Sequence, residues 1–112
     1  MKQIGFVCFG EVNTPYERLV SKRDGALKAL SEGVTGKIHD AGIVIDDPAY
    51  ETADAAIEKL KAVEMDCLIV CVAGWVPTHA VIRVTDHFRH LPMLLWGLCG
   101  WRENGKLITT AD

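Results

Sequence analysis

Within five positions the chain places Trp75, Thr78 and His79, the side chains best suited to hold a polar organic ligand. An indole stacks on the apolar face of a sugar ring and offers one N–H donor. Thr78 and His79 follow Pro77, which suits the first turn of a helix because its missing N–H would be unpaired there anyway. The free N–H groups and positive dipole end of such a turn favour a hydroxyl-rich or anionic ligand. Each residue also has a plainer reading: Trp75 packed against the next helix, Thr78 satisfying the helix end, His79 solvated. Glu11 and Asn13, in the loop after the first strand, add polar groups able to hold hydroxyls beside Trp75.

Other chemistry-bearing groups are weaker. His87-Phe-Arg-His90 is an H-x-x-H with Asp86 beside it, but zinc-type helical pairs use i, i+4 spacing, so an exposed polar helix end is the favoured reading. Asp46-Asp47 precedes Pro48, where turn stabilisation is favoured over acid catalysis. The segment Gly10-Glu-Val-Asn-Thr-Pro15 carries neither G-x-G-x-x-G nor a P-loop, which argues against a nucleotide. Cys8, Cys67, Cys71 and Cys99 lie in or beside apolar strands with no C-x-x-C among them. Cys67 and Cys71 share a strand face too far apart to bridge, so buried reduced thiols are expected.

The elements that must position these groups follow from the apolar pattern. Cys67–Ala73 is an unbroken, β-branched-rich run, the mark of a strand buried on both faces of a parallel sheet. Gly74 turns the chain, and a helix follows over about Pro77–His90, burying Ala80, Val81, Val84 and Phe88 and leaving His79, Arg83, Asp86 and His90 on a polar stripe. Gln3–Phe9 reads as the first strand. A first helix runs from Pro15, behind a Thr14 cap, to Ser31, with Tyr16, Leu19, Val20, Leu27 and Leu30 inward, Lys22 among the solvent-side charges and Gly33 ending it.

Lys37–Ile45 is the second strand, and Thr52 caps a second helix that buries Ala53, Ala56, Ile57, Leu60 and Val63. Met93–Leu98 is the fourth strand, and Asn104-Gly105 turns the chain into an extended Lys106–Thr110. The order β-α-β-α-β-α-β predicts a three-layer α/β fold, an open parallel sheet of flavodoxin/Rossmann-like type, with strand order 2-1-3-4. Ligands then bind at the carboxyl ends of the strands, where Trp75 sits. The apolar fourth strand is left as an edge that needs a cover.

Composition sets the outer bounds. Hydrophobic residues make up 49% and charged residues 24%, ordinary for one soluble domain of 112 residues. A net charge of −3 argues against nucleic acid, and no apolar run approaches the ~20 residues of a membrane span. Met1-Lys-Gln-Ile-Gly5 leaves no room for a signal peptide, so the cytoplasm is the expected compartment.

Cys71-Val-Ala-Gly-Trp-Val-Pro-Thr-His79, together with Pro92-Met-Leu-Leu-Trp-Gly-Leu98, resembles the N-terminal domain of the L-fucose isomerase and L-arabinose isomerase family. The likeness covers most of the chain, from the first strand to Thr110. It implies that residues 1–112 form a single N-terminal α/β domain of a larger aldose–ketose isomerase. It further implies a divalent metal, commonly manganese, held in the parent enzyme by two carboxylates and a histidine of later domains, with no cofactor and no catalytic residue in this part. The part played here is substrate capping, by Trp75, Thr78, His79, Glu11 and Asn13, and contact with neighbouring subunits of a trimer or hexamer. Fucose isomerases carry an arginine-bearing loop where this chain has Gly10-Glu-Val-Asn-Thr-Pro15, which leaves the sugar open. The alternative is a free-standing flavodoxin-like binding module without catalysis.

Overall fold

A computed structural model describes residues 2–10, 15–73, 78–97, 101–103 and 106–108. Strand β1 spans Gln3–Gly10, helix α1 Tyr16–Gly33, β2 Lys37–Ile45, α2 Glu51–Lys61 and β3 Cys67–Val72. Helix α3 spans Thr78–Thr85 and runs into a 3₁₀ turn, Asp86–Phe88, before β4, Met93–Gly97. A short antiparallel pair follows, β5 (Trp101–Glu103) and β6 (Lys106–Ile108), joined by the two residues Asn104 and Gly105.

The four long strands form one parallel sheet in the order β2-β1-β3-β4, the flavodoxin-like winding that the alternating pattern predicts. Period-two alternation divides the strands between two cores. On one face Val7, Phe9, Val44, Leu68 and Val70 pack with Ala53, Ala56, Ile57 and Leu60 of α2 and with Val84 and Phe88. On the other face Ile4, Phe6, Cys8, Ile43, Ile69 and Cys71 pack with Leu19, Ala26 and Leu30 of α1. The run Cys67–Ala73 is therefore apolar throughout because both of its faces are covered.

Several boundaries differ from the sequence expectation. Pro15 is the N-cap of α1, not its first helical residue, and Tyr16 is 60% exposed instead of inward-facing. Gly33 is the last helical residue, and extended Val34 closes the end by donating its N–H to the Leu30 carbonyl. Val63 lies beyond the end of α2, half-buried. The third helix stops at Thr85, whose hydroxyl donates back to the Val81 carbonyl at 3.0 Å, and tightens into the 3₁₀ turn.

Edge strand β2 carries a bulge. Phe6 pairs with Asp40 but Cys8 pairs with Ile43, so β2 holds one extra residue across this interval. Gly42 absorbs it with φ +93°, and its N–H donates to Asp40 Oδ1 at 2.8 Å. A methyl group at Gly42 meets no close neighbour, so Gly42→Ala isolates backbone strain. We expect it to lower stability by about 1 kcal/mol, read as a lower urea midpoint with an unchanged slope.

Candidate functional site

β1 and β3 are neighbours, and their carboxyl ends are tied together by the Ala73 N–H donating to the Phe9 carbonyl at 2.8 Å. The described ends of the two strands, Gly10 and Ala73, therefore lie side by side, at the point where the strand order reverses. Glu11, Asn13 and Trp75 themselves lie outside the described residues, as does the Thr14 cap. Thr78 opens α3, and its side chain also lies outside the described residues. His79 is described: it sits in the first turn of α3 and is exposed.

His79 has company that spacing alone did not reveal. Its ring meets the Tyr50 ring edge-on, with centroids 5.9 Å apart at 85°. One helical turn further on, the Arg83 guanidinium lies 4.3 Å above the same Tyr50 ring. Arg83 is held there by a forked pair of bonds to Asp54 of α2, Nε to Oδ1 at 3.0 Å and Nη2 to Oδ2 at 3.3 Å. The Asp54 carboxylate raises the pKa of Arg83, which stays a cation. Tyr50 is thus seated between the first turn of α2 and one face of α3. It has φ +57°, a left-handed conformation that non-glycine residues seldom adopt.

That conformation lets Asp47 cap α2. Asp47 Oδ2 accepts the Glu51 N–H at 2.6 Å, and Oδ1 accepts the Thr52 N–H at 3.4 Å and the Thr52 hydroxyl at 2.6 Å. Thr52, expected as the cap, is instead the second helical residue, and its hydroxyl accepts the Ile45 N–H at 3.0 Å. The hydroxyl of Thr52 first, and then the backbone donors, hold the Asp47 carboxyl below the usual range.

Lys22 is a second correction. Expected on the solvent side of α1, it is half-buried, and its Nζ donates to the Ala73 carbonyl at 3.3 Å. An ammonium group therefore fixes the end of β3 where residues 74–77 begin. Its long aliphatic stem can cross the helix surface while its charge finds a carbonyl, so the apolar period misses it.

Cys67 and Cys71 share the α1 face, as expected. The register adds a pairing across strands, Cys8 opposite Cys71, both fully buried and both free thiols. The hydrogen bond to Cys71 and then burial push the Cys8 thiol far up, so it stays protonated.

Neither a protein-family model, nor a curated protein, nor a solved structure matches this chain. The assignment of a site therefore rests on the geometry of the chain itself.

A concavity lies at the opposite end of the sheet. It is a cleft of about 730 Å³ at the amino ends of β1 and β3, with Leu60 and Phe88 in its wall and Glu64, Asp66, His87 and His90 lining it. The H-x-x-H pair thus faces this cleft, not the strand ends that the fold favours for ligands. We take the carboxyl end as the better candidate, because three helix N-termini, the Tyr50–His79–Arg83 group and the Lys22 contact lie there. Among the described residues no group of three or more His, Cys, Asp or Glu side chains is placed to hold a metal ion, so no chemical step through a metal is assigned to this chain.

The Asp47 cap gives a test with a defined sign. Its folded-state pKa lies below the unfolded value of 3.8, so its contribution is complete above that value and is lost as pH falls through the folded pKa. Asp47→Ala should lower stability by about 1 kcal/mol at pH 7. The gap to the unaltered chain should narrow below about pH 4, measured by urea unfolding at both pH values.

Proposed function

We propose that this chain is the substrate-capping and oligomerisation domain of an aldose–ketose sugar isomerase of the L-fucose isomerase type. The observation that supports this reading is that β1 and β3 end side by side, tied by the Ala73 N–H to the Phe9 carbonyl. In this reading Trp75 stacks on the apolar face of the sugar ring, and Glu11, Asn13, Thr78 and His79 exchange hydrogen bonds with its hydroxyls. Lys22 donates to the carbonyl of Ala73, the last described residue before Trp75. The chemistry of the parent enzyme, proton transfer between adjacent carbons with a divalent metal such as manganese, belongs to other domains. The domain would work in the cytoplasm, against the remaining domains and neighbouring subunits of a trimer or hexamer.

A second reading, a binding module without catalysis, is favoured by one observation, the amino-end cleft with its two histidines. The two readings place the ligand at opposite ends of the sheet, so a single titration separates them. Adding L-fucose or L-arabinose to the isotope-labelled chain should shift the Trp75 indole N–H and the His79 ring signals at millimolar sugar. Trp75→Ala should abolish the His79 shift, and Lys22→Met should weaken binding several-fold. Shifts confined to His87 and His90 would favour the module, and no shift at any of these positions would end the capping proposal.

A further inference from the structure

The two edges of the parallel sheet are built differently. β2 has Lys37 and Asp40 along its length and is bent by the bulge at Gly42, devices that discourage pairing with another strand. β4 has none of them. Met93-Leu-Leu-Trp-Gly97 holds no charge, no proline and no bulge, and pairs with β3 in unbroken register from Leu68–Met93 to Val72–Gly97. Its outer side has no strand beside it among the described residues. Leu94 is 59% exposed and Leu95 71% exposed, while their partners on β3, Ile69 and Val70, are buried. Because neighbouring strands share faces, Leu94 stands on the α1 side and Leu95 on the α2–α3 side. The edge is therefore apolar on both faces at once.

We propose that β4 pairs with β4 of a second copy of this chain, antiparallel across a two-fold axis at Leu95, joining two four-stranded sheets into one. The strand is complementary to itself in that register. Leu95 faces its own copy, Leu94 faces Trp96 of the second copy, and Met93 faces Gly97, so the long flexible side chain lies opposite the residue with none. Aromatic–aliphatic cross-strand pairs of this kind stabilise antiparallel ladders. A neutral strand meets no like charge when it meets itself, whereas Lys37 and Asp40 make β2 a poorer surface for unselective pairing. A two-fold contact of this type closes on itself and stops at the dimer. Stable interfaces bury about 1,200–2,000 Å², and a strand pair five residues long falls short of that alone, so the association is reversible and depends on concentration. The contact does not depend on the sugar-binding reading.

The test is sedimentation equilibrium on the 112-residue chain from micromolar to millimolar concentration, with Leu95→Lys and Leu95→Glu as probes. Leu95 is mostly exposed, so both variants should keep the far-ultraviolet circular dichroism of the unaltered chain. The unaltered chain should pass from monomer to dimer. Each variant alone should dimerise at least about tenfold more weakly, because like charges then face each other on the axis. Mixing the two should restore dimers, now of mixed composition. A chain that stays monomeric at millimolar concentration overturns the proposal, and so does open-ended assembly. Dimers indifferent to both substitutions, or a mixture that remains monomeric, overturn it equally.

Discussion

The pairing of β1 with β3 is the constraint on which the rest of the molecule depends. Both strands are apolar along almost their whole length and are buried on both faces, so neither is stable without a partner on each side and a helix above and below. Phe6, Phe9, Val7, Leu68 and Cys71 are completely buried here, and each large apolar side chain removed from water is worth about 1.5–3 kcal/mol. A parallel pair cannot be closed by a hairpin, so the chain must cross over twice between them, through α1, β2 and α2. Those crossovers put α1 on one face and α2 on the other, and the β3–β4 connection adds α3 beside α2. The same arrangement brings the two segments after β1 and β3 to adjacent points.

Polar groups appear where this packing ends. Among the described residues no polar or charged side chain is buried, so the electrostatics of the chain are concentrated at helix ends and on the outer surface. Asp47 closes α2, Arg83 crosses from α3 to Asp54 on α2, and Lys22 reaches the Ala73 carbonyl just beyond β3. The exposed Arg83–Asp54 pair contributes little stability by itself. Its consequence is geometric, because it holds a guanidinium over the Tyr50 ring at the end of the sheet where His79 stands.

Strand order and layer assignment were legible in the sequence because they follow from apolar runs and their alternation with amphipathic helices. The alternation on α2, with Ala53, Ala56, Ile57 and Leu60 inward, needed only the helical period. The cap of α2 was not legible, since Asp47 and Thr52 are both good capping types and only the left-handed conformation of Tyr50 decides between them. The Cys8–Cys71 pair and the seat of Tyr50 between His79 and Arg83 depend on contacts distant in sequence, which no local pattern carries. Of the site residues, His79 was placed correctly on an exposed first turn. Trp75, Glu11 and Asn13 lie outside the described residues.

The two ends of the sheet would suit different chemistry, and this bears on which of them is the working surface. At the amino end the cleft gathers Glu64 and Asp66 beside His87 and His90, a mixture of carboxylate and imidazole, and Asp66 is already engaged by the Gln3 N–H at 2.7 Å. Strand amino ends also lack the free helix donors that attract hydroxyl and anionic groups. At the carboxyl end α1, α2 and α3 all present their N-termini, and Asp47 accepts from two of the α2 donors. α3 has His79 in its first turn, with Tyr50 and Arg83 beside it.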